Sequence, residues 1–254
     1  MNLFFTFRLI PALDRTALTF FYLTLAKICH TIPALRRAFW KYVYERLARS
    51  YTLREWTFMN YGYLSDNGEA LELSPEDEPD RNLITLYHHI ADAGELRGKR
   101  VLEVGCGRGG GSSYVTKYMQ PSEMVSIDIS ENAVEFCRNR HHLDGLEFRK
   151  GDAESLPFED NSFDAVLNVE SSHCYGSIGT FFGEVYRVLK PRGSFLYADF
   201  RPTEDVDGVS SRLAEAGFVI RENEDITRNV LAALEQDSPT KQKWISDLAE
   251  NHIQ

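Results

Sequence analysis

Thirteen residues, Arg100–Ser112 (RVLEVGCGRGGGS), constrain this chain more than any other stretch. They open with a short apolar run, Val101, Leu102 and Val104, long enough for a buried strand. The run breaks into Gly105-Cys106-Gly107-Arg108-Gly109-Gly110-Gly111, and the patch Ser112–Met119 that follows has helical character. Strand, glycine turn and helix in succession bring backbone close to a bound ligand. Glycine reaches positive φ, and a helix N-terminus offers unpaired N–H groups. The spacing Gly105, Gly107, Gly110 also satisfies the G-x-G-x-x-G pattern of NAD-binding turns, so this stretch alone leaves the cofactor open.

Downstream of the glycines the chain alternates. Met124–Asp128, Leu146–Arg149, Asp164–Val169 and Ser194–Ala198 read as strands. Asn132–His141 and Phe181–Leu189 read as helices, the second closed by Pro191 and Gly193. Short apolar strands separated by helices predict an α/β fold, a doubly wound, mostly parallel, Rossmann-like sheet that binds ligands at its strands' carboxyl ends. Ser211–Ala216 and Gly217–Arg221 read as a further helix and a sixth strand, and Ile226–Gln254 as helix or loop.

Upstream, Arg81–Ala93 has Leu83, Leu86, Tyr87 and Ile90 at helical core spacing. His88 and His89 are adjacent, point different ways on a helix and read as structural rather than as a metal pair. The proline-bearing acidic stretch Ser65–Asp80 reads as linker or surface loop. Residues 18–28 form an apolar run that falls well short of the ~20 residues a membrane span requires. From Pro33 to Tyr51 an amphipathic helix is predicted, with Leu35, Phe39, Tyr42, Val43 and Leu47 on one side. Three roles suit it: packing on the domain, covering a hydrophobic pocket as a lid, or lying on a membrane surface. The expected division is residues 1–80, an apolar and basic helical lid with its acidic linker, and 81–254, the ligand-binding domain.

The charge pattern narrows the partners. Of the net charge of −10, residues 1–60 contribute +6 and the remainder −16. An acidic body argues against nucleic acid, while the basic arm suits peripheral contact of residues 1–50 with an anionic membrane. Cys29, Cys106, Cys137 and Cys174 are scattered without a C-x-x-C pair, against a disulfide scaffold or zinc site. That usage fits a reducing, cytoplasmic setting.

Each strand's carboxyl end presents something polar. Glu103 lies two residues before the first glycine. Asp128 closes the second strand, where a carboxylate accepts both ribose hydroxyls of an adenosine. Asp152, after the third strand, is placed to accept from an adenine amino group. Glu170-Ser171-Ser172-His173-Cys174-Tyr175 follows the fourth strand.

Together VLEVGCGRGG, SIDIS, GDAESLPFEDNSFDAVLNVESSHC and RVLKPRGSFLYAD resemble the class I S-adenosylmethionine-dependent methyltransferases, over about residues 82–200. NAD enzymes lack the L-P-F-x-D-x-S-F-D-x-V segment. The resemblance implies S-adenosyl-L-methionine as cofactor and S-adenosyl-L-homocysteine as product. It places Gly105, Gly107 and Gly109 beneath the methionine moiety, with Glu103 as the acid that orients the turn. Asp128, in the segment that continues into Ile129, becomes the ribose acid. Asp152 and Ala153 become adenine contacts, and the Asn168 backbone meets the methionine part. MNYGY, which carries Tyr63, is similar to a segment whose aromatic rings border the sulfonium, a cation–π contact worth ~0.5–2 kcal/mol.

A narrower resemblance, through SPEDEPDRNLITLYHHIA, CGRGGGSSYVTKYM and LYADFRP, is to the phthiotriol/phenolphthiotriol dimycocerosates methyltransferases. It implies a hydroxyl on a hydrophobic small molecule, a lipid or polyketide, as acceptor. Such a hydroxyl must lose a proton. His173 is the first candidate for general base, and Glu170 is the second or the group that orients the imidazole. No metal site is expected. Tyr175 belongs in the substrate wall, and Cys174 in packing. C-methylation of a sterol-like lipid, in which Glu170 would matter more than His173, is an alternative. Another arises because the resemblance implies a final antiparallel strand and none is read before Gln254: a non-catalytic, cofactor-binding remnant. A missing strand would leave a sheet edge unpaired.

Overall fold

In a computed structural model, residues 32, 35–40, 42, 45, 56–65, 71–202 and 205–237 are described. The apolar run 18–28, parts of the amphipathic stretch 33–51 and residues 238–254 lie outside them.

The sheet has five strands: β1 (Arg100–Val104), β2 (Glu123–Asp128), β3 (Leu146–Lys150), β4 (Phe163–Val169) and β5 (Leu189–Ala198). All are parallel, in the order β3-β2-β1-β4-β5. Successive side chains of a strand point to opposite faces, and β1 shows how both faces fill. Val101 joins a core with Leu86 and Tyr87 of α2 (Arg81–Asp92). Leu102 and Val104 join a second core with Phe181, Phe182 and Val185 of α5 (Ile178–Val188). Two apolar faces with helices on each give the expected doubly wound sheet.

The remaining helices flank these cores. The helical residues 35–40 (α1) precede the sheet, α3 (Gly110–Tyr114) follows the glycine turn, and α4 (Glu131–Arg140) joins β2 to β3. Serine side chains cap α4 and α5: Ser130 Oγ accepts from the Ala133 N–H and Ser177 Oγ from the Thr180 N–H. After β5 come α6 (Val206–Glu215) and the helical residues 227–237 (α7). Asn229 Nδ2 of α7 donates to the Leu64 carbonyl at 2.8 Å, so this helix fastens the 56–65 segment.

Two expectations are corrected. β5 begins at Leu189 rather than Ser194, because a register shift between Phe163 and Ala165 lets Lys190–Gly193 bulge while the strand continues. Pro191 is tolerated there since β5 pairs only with β4 among the described residues, and an edge strand can spare the N–H. The sixth strand at Gly217–Arg221 does not form, and residues 218–226 are irregular. After the positive φ of Gly217, the Phe218 ring packs on Phe195 at 5.4 Å and on Tyr186 at 5.3 Å. Packing across a face thus replaces pairing along the edge.

The two histidines of α2 have separate structural partners. His88 Nδ1 meets Tyr114 Oη at 2.8 Å, while His89 stacks on Tyr63 with centroids 4.3 Å apart. Cys106, Cys137 and Cys174 are buried free thiols. Among the described residues, no His/Cys/Asp/Glu cluster could hold a metal ion, and no helix is long and apolar enough to cross a membrane.

Candidate active site

The chain winds one way from β1 to β3 and the other way through β4 and β5, so a crevice opens between the carboxyl ends of β1 and β4. The main cleft lies there, walled by Gly105 and Gly107 after β1, Asp128 and Ile129 after β2, and Glu170 after β4. The turn after β1 stays in register with its neighbour, because the N–H groups of Gly105 and Cys106 both donate to the Ile127 carbonyl, at 2.8 and 3.0 Å. Gly105 has φ +78, and a Cβ on it would lie 1.9 Å from Ser171 Oγ. Only glycine lets the turn pass this close to the segment after β4.

Carboxylates set the turn from below and beside. Glu103, wholly buried, accepts from Tyr87 Oη at 3.0 Å and from Ser112 Oγ, so it ties β1 to both α2 and α3. Burial pushes its carboxyl up to about 7, against the pull of those two hydroxyls. Asp128 accepts from the Gly107 N–H at 3.0 Å and the Ser130 N–H at 2.9 Å, which pins the turn to the start of α4. Burial raises Asp128 to about 6, with its backbone donors opposing. After β3, Asp152 and Ala153 line the cleft, and Asp152 pairs with Arg37 of α1.

The opposite wall carries the reactive candidates. Glu170 holds φ +46, and its carboxylate accepts from the Tyr61 N–H at 2.9 Å. His173 sits in the short 3-10 turn Ser172–Cys174. Its Nδ1 lies 2.8 Å from Asp199 Oδ1, and its backbone N–H donates to Asp199 Oδ2 at 2.7 Å. The Phe200 ring lies 4.1 Å from the imidazole, and Trp40 of α1 meets it edge-on at 6.3 Å. Arg36 of α1 donates to the His173 carbonyl. With Nδ1 committed to Asp199, Nε2 is the ring nitrogen left for a ligand in the cleft.

Comparison with known proteins accords with this geometry. Residues 102–197 match the methyltransferase domain family. The chain is 41% identical over 214 residues to a phthiotriol/phenolphthiotriol dimycocerosates methyltransferase of Mycobacterium tuberculosis, covering 84% of this chain and 78% of that one. It belongs to the S-adenosylmethionine-dependent methyltransferases. A fatty-acid O-methyltransferase of Mycolicibacterium smegmatis is 44% identical over 197 residues, 78% of this chain and 72% of the relative. Among solved structures, the geranyl diphosphate C-methyltransferase of Streptomyces coelicolor shares the fold, with TM-score 0.61 and 18% identity over 78% of this chain and 86% of that one.

S-adenosyl-L-methionine is the cofactor of this methyltransferase, and the cleft fits it. The glycines of the cleft wall also let the start of α3 pack tightly on its neighbours, which holds the turn in place. A Cβ on Gly111 would strike the Tyr87 ring at 1.9 Å, and one on Gly110 the Thr57 carbonyl at 2.7 Å. Asn60 lines the cleft and gives its Nδ2 to the Leu83 carbonyl at 2.9 Å. Its buried Oδ1 has no partner among the described residues, an acceptor suited to a ligand amino group.

The structure brings Gly105, Gly107, Asp128, Ile129, Asp152, Ala153, Glu170 and His173 to one cleft. Others support it from behind. Glu103 lies beneath the turn, and Gly109, with φ +78, starts α3. Asn168 is buried and donates to the Val104 carbonyl at 2.8 Å, linking β4 to β1. Tyr63 is turned into the core against His89, and Tyr61, two residues earlier in the same segment, reaches the cleft instead. Residues two apart in extended backbone share a face, but Gly62 between them holds φ +89 against the Asn82 backbone of α2, which breaks the alternation and sends the two rings different ways. Asp199 escaped the sequence reading, although an acid directly after an apolar strand, as Asp128 is to β2, was the available signal.

Proposed function

We propose that this methyltransferase acts on a hydroxyl of a hydrophobic acceptor, a lipid or polyketide, with His173 as general base. The observation that carries this is the imidazole held through Nδ1 by a buried carboxylate, with aromatic rings on either side and Nε2 left for the cleft. The acidic surroundings of the cleft suit a neutral acceptor, and the named relatives act on dimycocerosates and a fatty acid.

When bound, the cofactor supplies an electrophilic methyl on a positively charged sulfur. The chain's own residues then have two tasks. Gly105, Gly107, Asp128, Asp152 and Ala153 hold the adenosine and methionine ends in a fixed place, and alignment of this kind is worth ~7–11 kcal/mol. His173 Nε2 accepts the hydroxyl proton as the acceptor oxygen attacks, a contribution of ~10²–10⁴-fold. Trp40, Phe200 and Tyr61 present apolar faces to the acceptor chain. Residues 1–80 serve as the cover and 81–254 as the catalytic unit, which is supported by Arg37 and Trp40 of α1 in the cleft wall. Leu35 and Phe39 of α1 and the nearby Tyr42 are exposed, which suits contact with lipid around the acceptor.

The test is a panel of long-chain alcohols, diols and fatty acids incubated with enzyme and cofactor, with products identified by mass spectrometry. Methyl ethers are expected, and His173→Asn should lower kcat by ~10²–10⁴-fold while cofactor affinity holds. Methyl esters alone, or C-methylated products, would overturn the hydroxyl reading. Full turnover in His173→Asn would overturn the base.

A further inference from the structure

We propose that Asp199 and Arg201 are positioning residues that place the proton of His173 on Nδ1 and set how readily Nε2 takes up another. The inference rests on reading His173 as the base, and it goes further by assigning what tunes it. Asp199 follows β5 with its side chain fully buried. Its Oδ1 faces His173 Nδ1 at 2.8 Å and accepts from the Phe200 N–H at 2.9 Å. Its Oδ2 accepts from the His173 N–H at 2.7 Å, Ser172 Oγ at 2.5 Å and Arg201 Nη2 at 3.1 Å. A carboxylate surrounded by donors has only acceptance to offer. Nδ1 must therefore donate, and the lone pair is left on Nε2.

The same cluster balances charge. An imidazolium formed on His173 is stabilised by the Asp199 carboxylate beside it. Arg201, whose guanidinium also binds Ser172 Oγ at 2.5 Å and Tyr197 Oη at 3.3 Å, opposes that charge. The Arg201 side chain is only 13% exposed, so water screens this little. Asp199 and Arg201 thus act on Nε2 in opposite directions, the carboxylate favouring a second proton and the guanidinium opposing it.

Other titratable or charged groups surround the imidazole from each packed element. Arg36 of α1 donates to the His173 carbonyl, and Asp205, before α6, acts electrostatically on that arginine. Glu170 and Cys174 come from the same loop, Tyr61 from the 56–65 segment and Tyr197 from β5. All of these stay constant in the comparison below.

The experiment is an NMR titration of the 254-residue chain with ¹⁵N-labelled histidine, with His173→Asn used to assign the resonance. The wild type is expected to carry its neutral-state proton on Nδ1. In Asp199→Asn that tautomer should be lost or mixed, and the titration midpoint should move to lower pH. In Arg201→Gln the tautomer should persist while the midpoint moves to higher pH, and Arg201→Lys should restore it. A purely structural role would not produce shifts of opposite sign with rescue by charge alone. A wild-type proton on Nε2, or variants that both leave the midpoint unmoved or shift it the same way, would overturn the proposal. If Asp199→Asn does not fold, the Arg201 pair decides. No acceptor is used, so failure of the hydroxyl reading in the product screen remains distinguishable from failure here.

Discussion

Replacing Gly105 by alanine tests whether the turn after β1 is built around its contact with the far wall of the cleft. The added Cβ would lie 1.9 Å from Ser171 Oγ, 2.7 Å from Tyr175 Oη and 2.8 Å from Ser171 Cβ. Ser171 has little freedom to step aside, because its Oγ is 2.5 Å from Tyr175 Oη and 3.3 Å from Asn168 Nδ2. Two costs combine. A non-glycine residue held at φ +78 loses ~1–2 kcal/mol, and overpacking a filled site costs ~1–3 kcal/mol. Gly105→Ala should therefore destabilise the protein by about 2–5 kcal/mol in equilibrium urea unfolding. Adding Ser171→Gly removes the two contacts to Ser171 while Tyr175 Oη at 2.7 Å remains, so it should recover part of the steric cost and leave the backbone cost of ~1–2 kcal/mol in full. Gly183→Ala is the internal control. Gly183 lies inside α5 with nothing within 4 Å of a built Cβ, so alanine there should stabilise by ~0.5–1 kcal/mol. If Gly105→Ala unfolds at the wild-type urea concentration, or if Ser171→Gly recovers nothing in its background, the close approach between β1 and β4 is not what requires glycine.

Asp128→Ala removes the anchor for Gly107 and Ser130 together with the carboxylate proposed to accept the ribose hydroxyls. Hydrogen bonds to a charged group are worth ~1.5–3 kcal/mol each, so calorimetry should show the cofactor Kd rising at least ~10-fold. Glu103 is raised from 4.5 to about 7, so the folded state holds its proton more tightly than the unfolded state does. Stability from this group is therefore greatest in acid and falls as pH rises from about 4.5 to about 7, by about 3 kcal/mol at ~1.36 kcal/mol per pH unit. Glu103→Gln should flatten that decline in a pH series of urea unfolding curves, and an unchanged slope would refute the assignment. Phe200→Ala removes the ring beside His173, and aromatic contacts of this kind carry ~0.5–1.5 kcal/mol. Acceptor KM should rise up to ~10-fold while cofactor Kd, measured by calorimetry, stays put.

The cofactor half of the cleft was legible because each of its residues is tied to an interruption of periodicity. Gly105 and Gly107 end β1, Asp128 ends β2, and Asp152 follows β3. In a parallel sheet, chain position beyond a strand is also spatial position at the cleft. The acceptor half was legible only in part. His173 announced itself by following β4, but its partner Asp199 lies 26 residues away and comes into contact because β4 and β5 pair in parallel. Glu170 is expected from the sequence either to serve as base or to orient the imidazole. What the sequence does not show is that its carboxylate accepts from the Tyr61 N–H, a contact made by a segment more than a hundred residues upstream.

Sequence alone therefore determined the strands, the glycine turn, the doubly wound sheet and the acids that close its strands. Those features depend on neighbours within one or two turns of the chain, on periodicity and on backbone freedom, all of which are local. Tertiary structure decided that Tyr61 rather than Tyr63 faces the cleft, that Phe218 packs instead of pairing, and that Asp199 holds His173. Each of these depends on which surface a segment meets after the sheet has formed. The backbone accommodates several alternatives at such points, and burial and hydrogen bonding across long sequence distances select one.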